Sequence, residues 1–115
     1  MENNSSAYDS IFRALADPTR RAVILRLSQG PASVTELAAG AAMGLPAFLK
    51  HLGVLEDSAL IRSSKAGRVR TCQIQPDRLA LVGDWLAEQR ALWIARTDRL
   101  AHYVENTMSQ EHDDA

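Results

Sequence analysis

Residues 33–57 read SVTELAAGAAMGLPAFLKHLGVLED. Ser33 followed three residues later by Glu36 is a capping box, in which a hydroxyl accepts from an unpaired N–H of the first helical turn. It opens a short helix that carries Leu37 inward. Gly40 and Gly44 bracket a brief connection. A second helix starts near Leu45-Pro46, where proline is tolerated, and runs to about Asp57. Phe48, Leu52 and Leu55 recur at helical spacing and form its buried side. Two helices joined by so short a turn are a helix-turn-helix pattern.

On the N-terminal side, Tyr8, Ile11, Phe12 and Leu15 repeat at helical spacing behind Ser5 and Ser6, which are candidate caps. That helix ends at Asp17-Pro18, because the residue before a proline is pushed out of the helical region. Asp17 then caps a second helix with Pro18 at its first position. Val23, Ile24 and Leu27 give it a buried side, and Gly30-Pro31 ends it.

On the C-terminal side the texture changes at Leu60. Residues 60–63 and 69–74 look extended, and Lys65-Ala66-Gly67 between them is a hairpin tip. Alternation along the second strand turns Cys72 and Ile74 to the core and Val69, Thr71 and Gln73 away from it. Pro76-Asp77 opens a last helix, in which Leu79, Val82, Leu86, Trp93, Leu100 and Val104 hold one apolar stripe over about 40 Å. The expected fold is mainly α: a winged helix-turn-helix with a two-stranded β-hairpin wing and a long C-terminal dimerisation helix. Its expected limits are a disordered start over 1–6, a DNA-binding and dimerisation domain over 7–106, and a flexible acidic tail over 107–115.

The totals agree with one small domain: 115 residues, 46% hydrophobic and only 5% aromatic, so aliphatic packing dominates. The formal net charge of −1 hides an uneven distribution, because residues 62–70 hold four basic side chains and no acid. The lone Cys72 can form no internal disulfide and cannot by itself build a thiolate metal site. No secretory signal opens the chain and no apolar run is long enough to span a bilayer, so a cytoplasmic location and no membrane partner are expected. Enzymatic readings fail for want of parts. No glycine elbow or phosphate loop is present, and no cofactor is called for.

A helix-turn-helix followed at once by a basic ribbon suits double-stranded DNA. The second helix is narrow enough to enter the major groove. The hairpin places Arg62, Lys65, Arg68 and Arg70 along the backbone or in the adjacent minor groove, where releasing counterions rewards clustered cations. A solvated basic hairpin without a partner is the plainer reading of the run taken alone.

The segments IFRALADPTRRAVILRL (11–27), SVTELA (33–38), LPAFLKHLGVLED (45–57) and GRVRTCQI (67–74) resemble the ArsR family of bacterial winged-helix repressors. The resemblance spans about residues 10–103, and Asp17-Pro18-Thr19-Arg20 and Lys50-His51-Leu52 are its most specific parts. It implies that the first and last helices pair two chains into a homodimer that binds an inverted repeat. On that reading Leu45, Pro46, Ala47, Leu49, Lys50 and His51 face DNA together with the wing cations. Tyr8, Ile11, Phe12, Trp85, Gln89, Leu92, Trp93, Arg96 and Leu100 face the second copy. His51 is either a DNA contact or a partly buried packing residue, and the family motif favours DNA.

Three features depart from the family pattern. Leu45 and Leu49 stand where polar residues usually line the recognition helix, so readout leans on thymine methyls and shape, unless Leu49 is core. Ala59 occupies the place of a helix-ending glycine, so either the end there is not left-handed or a strain cost is borne. Metal-responsive members carry cysteines in the helix before the recognition helix, and residues 34–39 have none. Asp98, His102 and Glu105 lie one turn apart on the last helix with a zinc-compatible spacing. Leu86, two residues after Asp84, breaks the upstream half of the family's ligand set, so a solvated polar face is favoured. An unknown small-molecule effector is allowed, and a protein-interaction module that has lost operator recognition is the alternative to a repressor.

Overall fold

The computed structural model describes residues 4–113, which form two compact units divided between Val82 and Gly83. In the first unit α1 (Asn4–Leu15) and α2 (Pro18–Leu27) precede a two-residue strand β1 (Ala32–Ser33). Then come α3 (Val34–Ala39), α4 (Leu45–Asp57), β2 (Ile61–Ala66), β3 (Val69–Ile74) and the start of α5 (Pro76–Asp113). The helix, helix, helix-turn-helix, hairpin, long-helix order expected from the sequence is present, and the fold is a mainly helical winged helix-turn-helix.

Local chemistry sets the helix boundaries. Asp17 sits in extended conformation before α2 and its Oδ2 accepts from the Arg20 backbone N–H at 3.0 Å, with Pro18 in the first turn. Ser33 caps α3 by accepting from the Glu36 N–H at 3.1 Å. The Glu36 carboxylate meets Arg26 at 3.5 Å. In α1, Ser5 and Ser6 lie inside the first turn rather than before it, because the helix already runs from Asn4. The expected N-terminal segment 1–6 therefore overlaps α1, and residues 1–3 lie outside the described residues. At the other end α5 continues to Asp113, through most of the segment expected as a tail.

The wing holds one strand more than expected. β3 is central in the order β1-β3-β2, with Ala32 opposite Cys72 and Ser33 opposite Thr71. Two residues are too short a run to show a period of two. The hairpin turns at Gly67-Arg68, one residue beyond the expected tip, since Ala66 still pairs with Val69. Gly67 has φ 62°, and of the two loop residues it alone is left-handed, which matches the glycine-first hairpin turn.

One core fills this unit. Ile11, Ala14, Val23, Ile24, Leu27, Ala32, Leu37, Phe48, Leu52, Leu55, Leu60, Ile61 and Cys72 are buried together, with Leu79, Leu81 and Val82 packed on its edge. Ile11 was expected to face a second copy. It is instead 0% exposed, so its side chain has no surface left to offer a partner.

The end of α4 fixes the base of the wing. Leu60 N–H donates to the Leu55 carbonyl at 3.1 Å and Ala59 N–H to that of Glu56 at 2.9 Å, the paired bonds of a Schellman ending. Ala59 therefore takes the left-handed position, at φ 63°. The strain alternative raised by the sequence is the one adopted. The two carbonyls that follow are also satisfied: Arg78 Nε donates to Ser58 O at 2.9 Å and Gln75 Nε2 to Ala59 O at 2.8 Å.

The second unit is the distal part of α5. Leu86, Leu92, Trp93, Leu100, Tyr103, Val104 and Met108 are all exposed there.

Candidate nucleic-acid interface

The amphipathic pattern of α4 decides what the helix-turn-helix offers to a partner. Phe48, Leu52 and Leu55 are buried, which turns Leu45, Pro46, Ala47, Leu49 and Lys50 outward. Leu49 is 45% exposed, so it does not belong to the core. Gly44 precedes the helix in extended conformation and supplies no side-chain cap. Within the first turn only Leu45 and Ala47 carry an N–H, and neither meets a side-chain cap.

Beside this surface, the register of the hairpin sorts the wing cations. Ile61 and Ile74 are paired, Ser63 and Cys72 are paired, and Lys65 and Arg70 are paired. Ile61 and Cys72 are buried, so by alternation Lys65 and Arg70 share the face that leads down to the core. Two cations directly opposite each other repel. Among the described residues neither has an ion-pair partner, and Arg68 at the turn has none. Arg62 differs. With the Gln73 amide oxygen facing the guanidinium, Nε and Nη2 of Arg62 both donate to it across the strands.

Leu45, Leu49, Val69, Lys65, Arg68 and Arg70 line one groove of about 750 Å³ together with residues of α3. Its lining combines apolar Leu45, Leu49 and Val69 with three cations, and among the described residues Glu36 is the one acid on it. A groove of this kind accepts a polyanion with methyl-bearing edges, which is what the major groove of DNA presents beside its phosphates.

His51, expected on the DNA side, lies elsewhere on α4. Its side chain is 22% exposed and its Nδ1 is 3.0 Å from Arg20 Nη1 and 3.7 Å from Asp17 Oδ2. Arginine has no acceptor, so Nδ1 accepts here. Arg20 also donates through Nε to Ala14 O at 2.7 Å and through Nη2 to Arg13 O at 3.1 Å. The Asp17 carboxyl is held below the usual aspartate range, chiefly by its hydrogen bond from the Arg20 N–H and further by the Arg20 charge, against some desolvation.

The remaining polar candidates are quiet. Cys72 is fully buried, and desolvation, aided by Glu56, raises its thiol pKa against the opposing pull of Arg70. His102 Nε2 meets Asn106 Nδ2 at 3.1 Å. Among the described residues no three histidine, cysteine or acidic side chains cluster to hold a metal ion, and no helix is long and apolar enough to cross a membrane.

Comparison with known proteins agrees with this geometry. A helix-turn-helix domain model matches residues 15–64. The chain is similar to the HTH-type transcriptional regulator Rv2034 of Mycobacterium tuberculosis, with 43% identity over 72 residues, or 63% of this chain and 67% of that one. The crystal structure of an ArsR family transcriptional regulator is 55% identical and superposes with a TM-score of 0.75, covering 81% of this chain and 96% of its own. The homodimeric winged helix-turn-helix DNA-binding domain Mb0332 of Mycobacterium bovis shares the fold at 20% identity and a TM-score of 0.61, over 76% of this chain and 82% of its own.

Proposed function

The chain belongs to the ArsR family of winged-helix transcriptional regulators, which are DNA-binding proteins and not enzymes, and from that premise we propose that it is a homodimeric repressor reading an inverted-repeat operator. In this reading α4 enters the major groove through Leu45, Pro46, Ala47, Leu49 and Lys50. The wing lays Lys65, Arg68 and Arg70 on the backbone or in the neighbouring minor groove, with Arg62 at its base. The observation that carries the reading is the shared groove, where the outward face of α4 and three cations without ion-pair partners line one concave surface.

The dimer is supported by what α5 leaves uncovered. Leu86, Trp93, Leu100, Val104 and Met108 recur at intervals of seven and four along its distal part, and Trp93 is 66% exposed. Such a stripe on a free helix is unfavourable in water and is covered by a second copy. Trp85, Gln89, Leu92 and Arg96 belong to the same stretch, and in the first unit Tyr8 and Phe12 of α1 are likewise assigned to the partner. An obligate contact of this type buries at least about 2,000 Å². The Mycobacterium bovis domain, which shares the fold, is homodimeric. Sedimentation at micromolar concentration tests this part: a dimer is expected, and monomer alone would overturn it.

Exposed Leu45 and Leu49 favour a second reading, a winged helix that binds protein and no longer reads an operator. A mobility shift against random duplexes separates the two. Retarded duplex supports the repressor, and none at low salt supports the interaction module.

A further inference from the structure

We propose that His51 is a positioning residue for the recognition helix and not a reader of DNA, with Arg20 as the joint that holds it. The inference rests on the DNA-binding reading above. Arg20 stands on α2 and its side chain joins two further helices, α1 and α4. Its backbone N–H is capped by Asp17 at the start of α2, its Nε and Nη2 close the carbonyls of Ala14 and Arg13 at the end of α1, and its Nη1 donates to His51 in the middle of α4.

The bond to His51 fixes more than distance. With Nε and Nη2 bound to the carbonyls at the end of α1, the guanidinium plane is fixed and the two Nη1 N–H donors lie in it. An acceptor on α4 must therefore meet one of them in that plane, which constrains the rotation of α4 about its own axis. Leu49 and Lys50, the two residues before His51, are turned outward by the same rotation. The bond also selects the tautomer. With Nδ1 accepting, the ring proton of neutral His51 sits on Nε2. Asp17 Oδ2, at 3.7 Å from Nδ1, stands behind the pair as a counter-charge to Arg20.

Two isosteric substitutions distinguish positioning from reading. The asparagine amide oxygen occupies nearly the place of Nδ1, whereas glutamine reaches the place of Nε2. A duplex selected from a random pool by the wild-type protein serves as probe. His51→Asn, which retains an acceptor for Arg20, is expected to bind it within about twofold of wild type. His51→Gln, which leaves Nη1 unmet, is expected to bind about tenfold more weakly with an unchanged salt slope. The reverse order, or equal behaviour of the two variants, overturns the proposal.

Nitrogen NMR of the unmodified protein gives a second readout that does not depend on the variants folding or on DNA. An Nε2–H tautomer with an accepting Nδ1 is expected, and an Nδ1–H tautomer overturns the assignment. Failure of the wild-type protein to bind any duplex would instead remove the DNA-binding reading, while the tautomer still reports on the joint.

Discussion

Lys65 and Arg70 stand directly opposite each other across the two strands of the wing, with no acid between them. In a structure selected for stability alone this pair is a cost, since opposed like charges repel. An approaching polyanion reverses its sign.

Replacing Arg70 with alanine is therefore expected to leave the thermal midpoint unchanged or slightly raised, and to weaken binding to every duplex by a similar factor. One ionic contact is lost per subunit, so a dimer should lose roughly two units of slope in log affinity against log salt. Arg68→Ala, at the turn, is expected to do the same. A loss of sequence preference with an unchanged slope would mean that the wing reads bases.

Leu49 carries no charge and can sense only methyl groups and shape. Leu49→Ala is expected to leave the salt slope alone and to cost on the order of 1 kcal/mol at thymine-bearing positions, a cost that uracil-substituted duplexes do not show. Because the side chain is half exposed, the variant should stay folded, with a stability loss of about 1 kcal/mol or less. Unfolding at room temperature would place Leu49 in the core after all.

Ala59 gives a stability test independent of DNA. It holds the left-handed position of the α4 ending at φ 63°, where a Cβ is penalised and glycine is not. Ala59→Gly is expected to stabilise the protein by roughly 0.5–1 kcal/mol, raising the thermal midpoint by a few degrees. A lower midpoint would contradict the strain account.

Asp17 predicts a pH dependence. Its carboxyl is more acidic in the folded protein than in the unfolded chain, through the Arg20 N–H first and then the Arg20 charge. The stabilisation is therefore complete above the ordinary aspartate range and is lost as pH falls through the lowered value. Asp17→Asn keeps a cap acceptor without the charge. The two proteins should melt with a constant offset from pH 7 to 5, and the offset should shrink below about pH 4. An offset that does not change down to pH 3 would show that the charge contributes nothing.

Much of this molecule is legible in its residues because its helix ends are signalled locally. Asp17-Pro18, Ser33 with Glu36, and Leu45-Pro46 each mark a start within four residues, and all three are where the chain turns helical. What escaped the sequence depends on distant partners. β1 exists because Ala32 meets Cys72, forty residues away. The apolar spacing of α1 shows that Ile11 will be covered, but not whether its own chain or another covers it. His51 stands next to Lys50 and reads as a DNA contact until Arg20, thirty-one positions earlier, is seen against its ring. The groove was legible as two separate signals, the outward face of α4 and the basic run. Their convergence required the register of the hairpin.

The central claim is that two copies of this groove read two copies of one half-site. Sequencing the duplexes that the wild-type protein retains from a random pool tests it most directly. The account predicts an enriched inverted repeat, with half-site centres about one helical turn apart or a multiple of it. A single unrepeated motif, or retention without any enriched sequence, would contradict it.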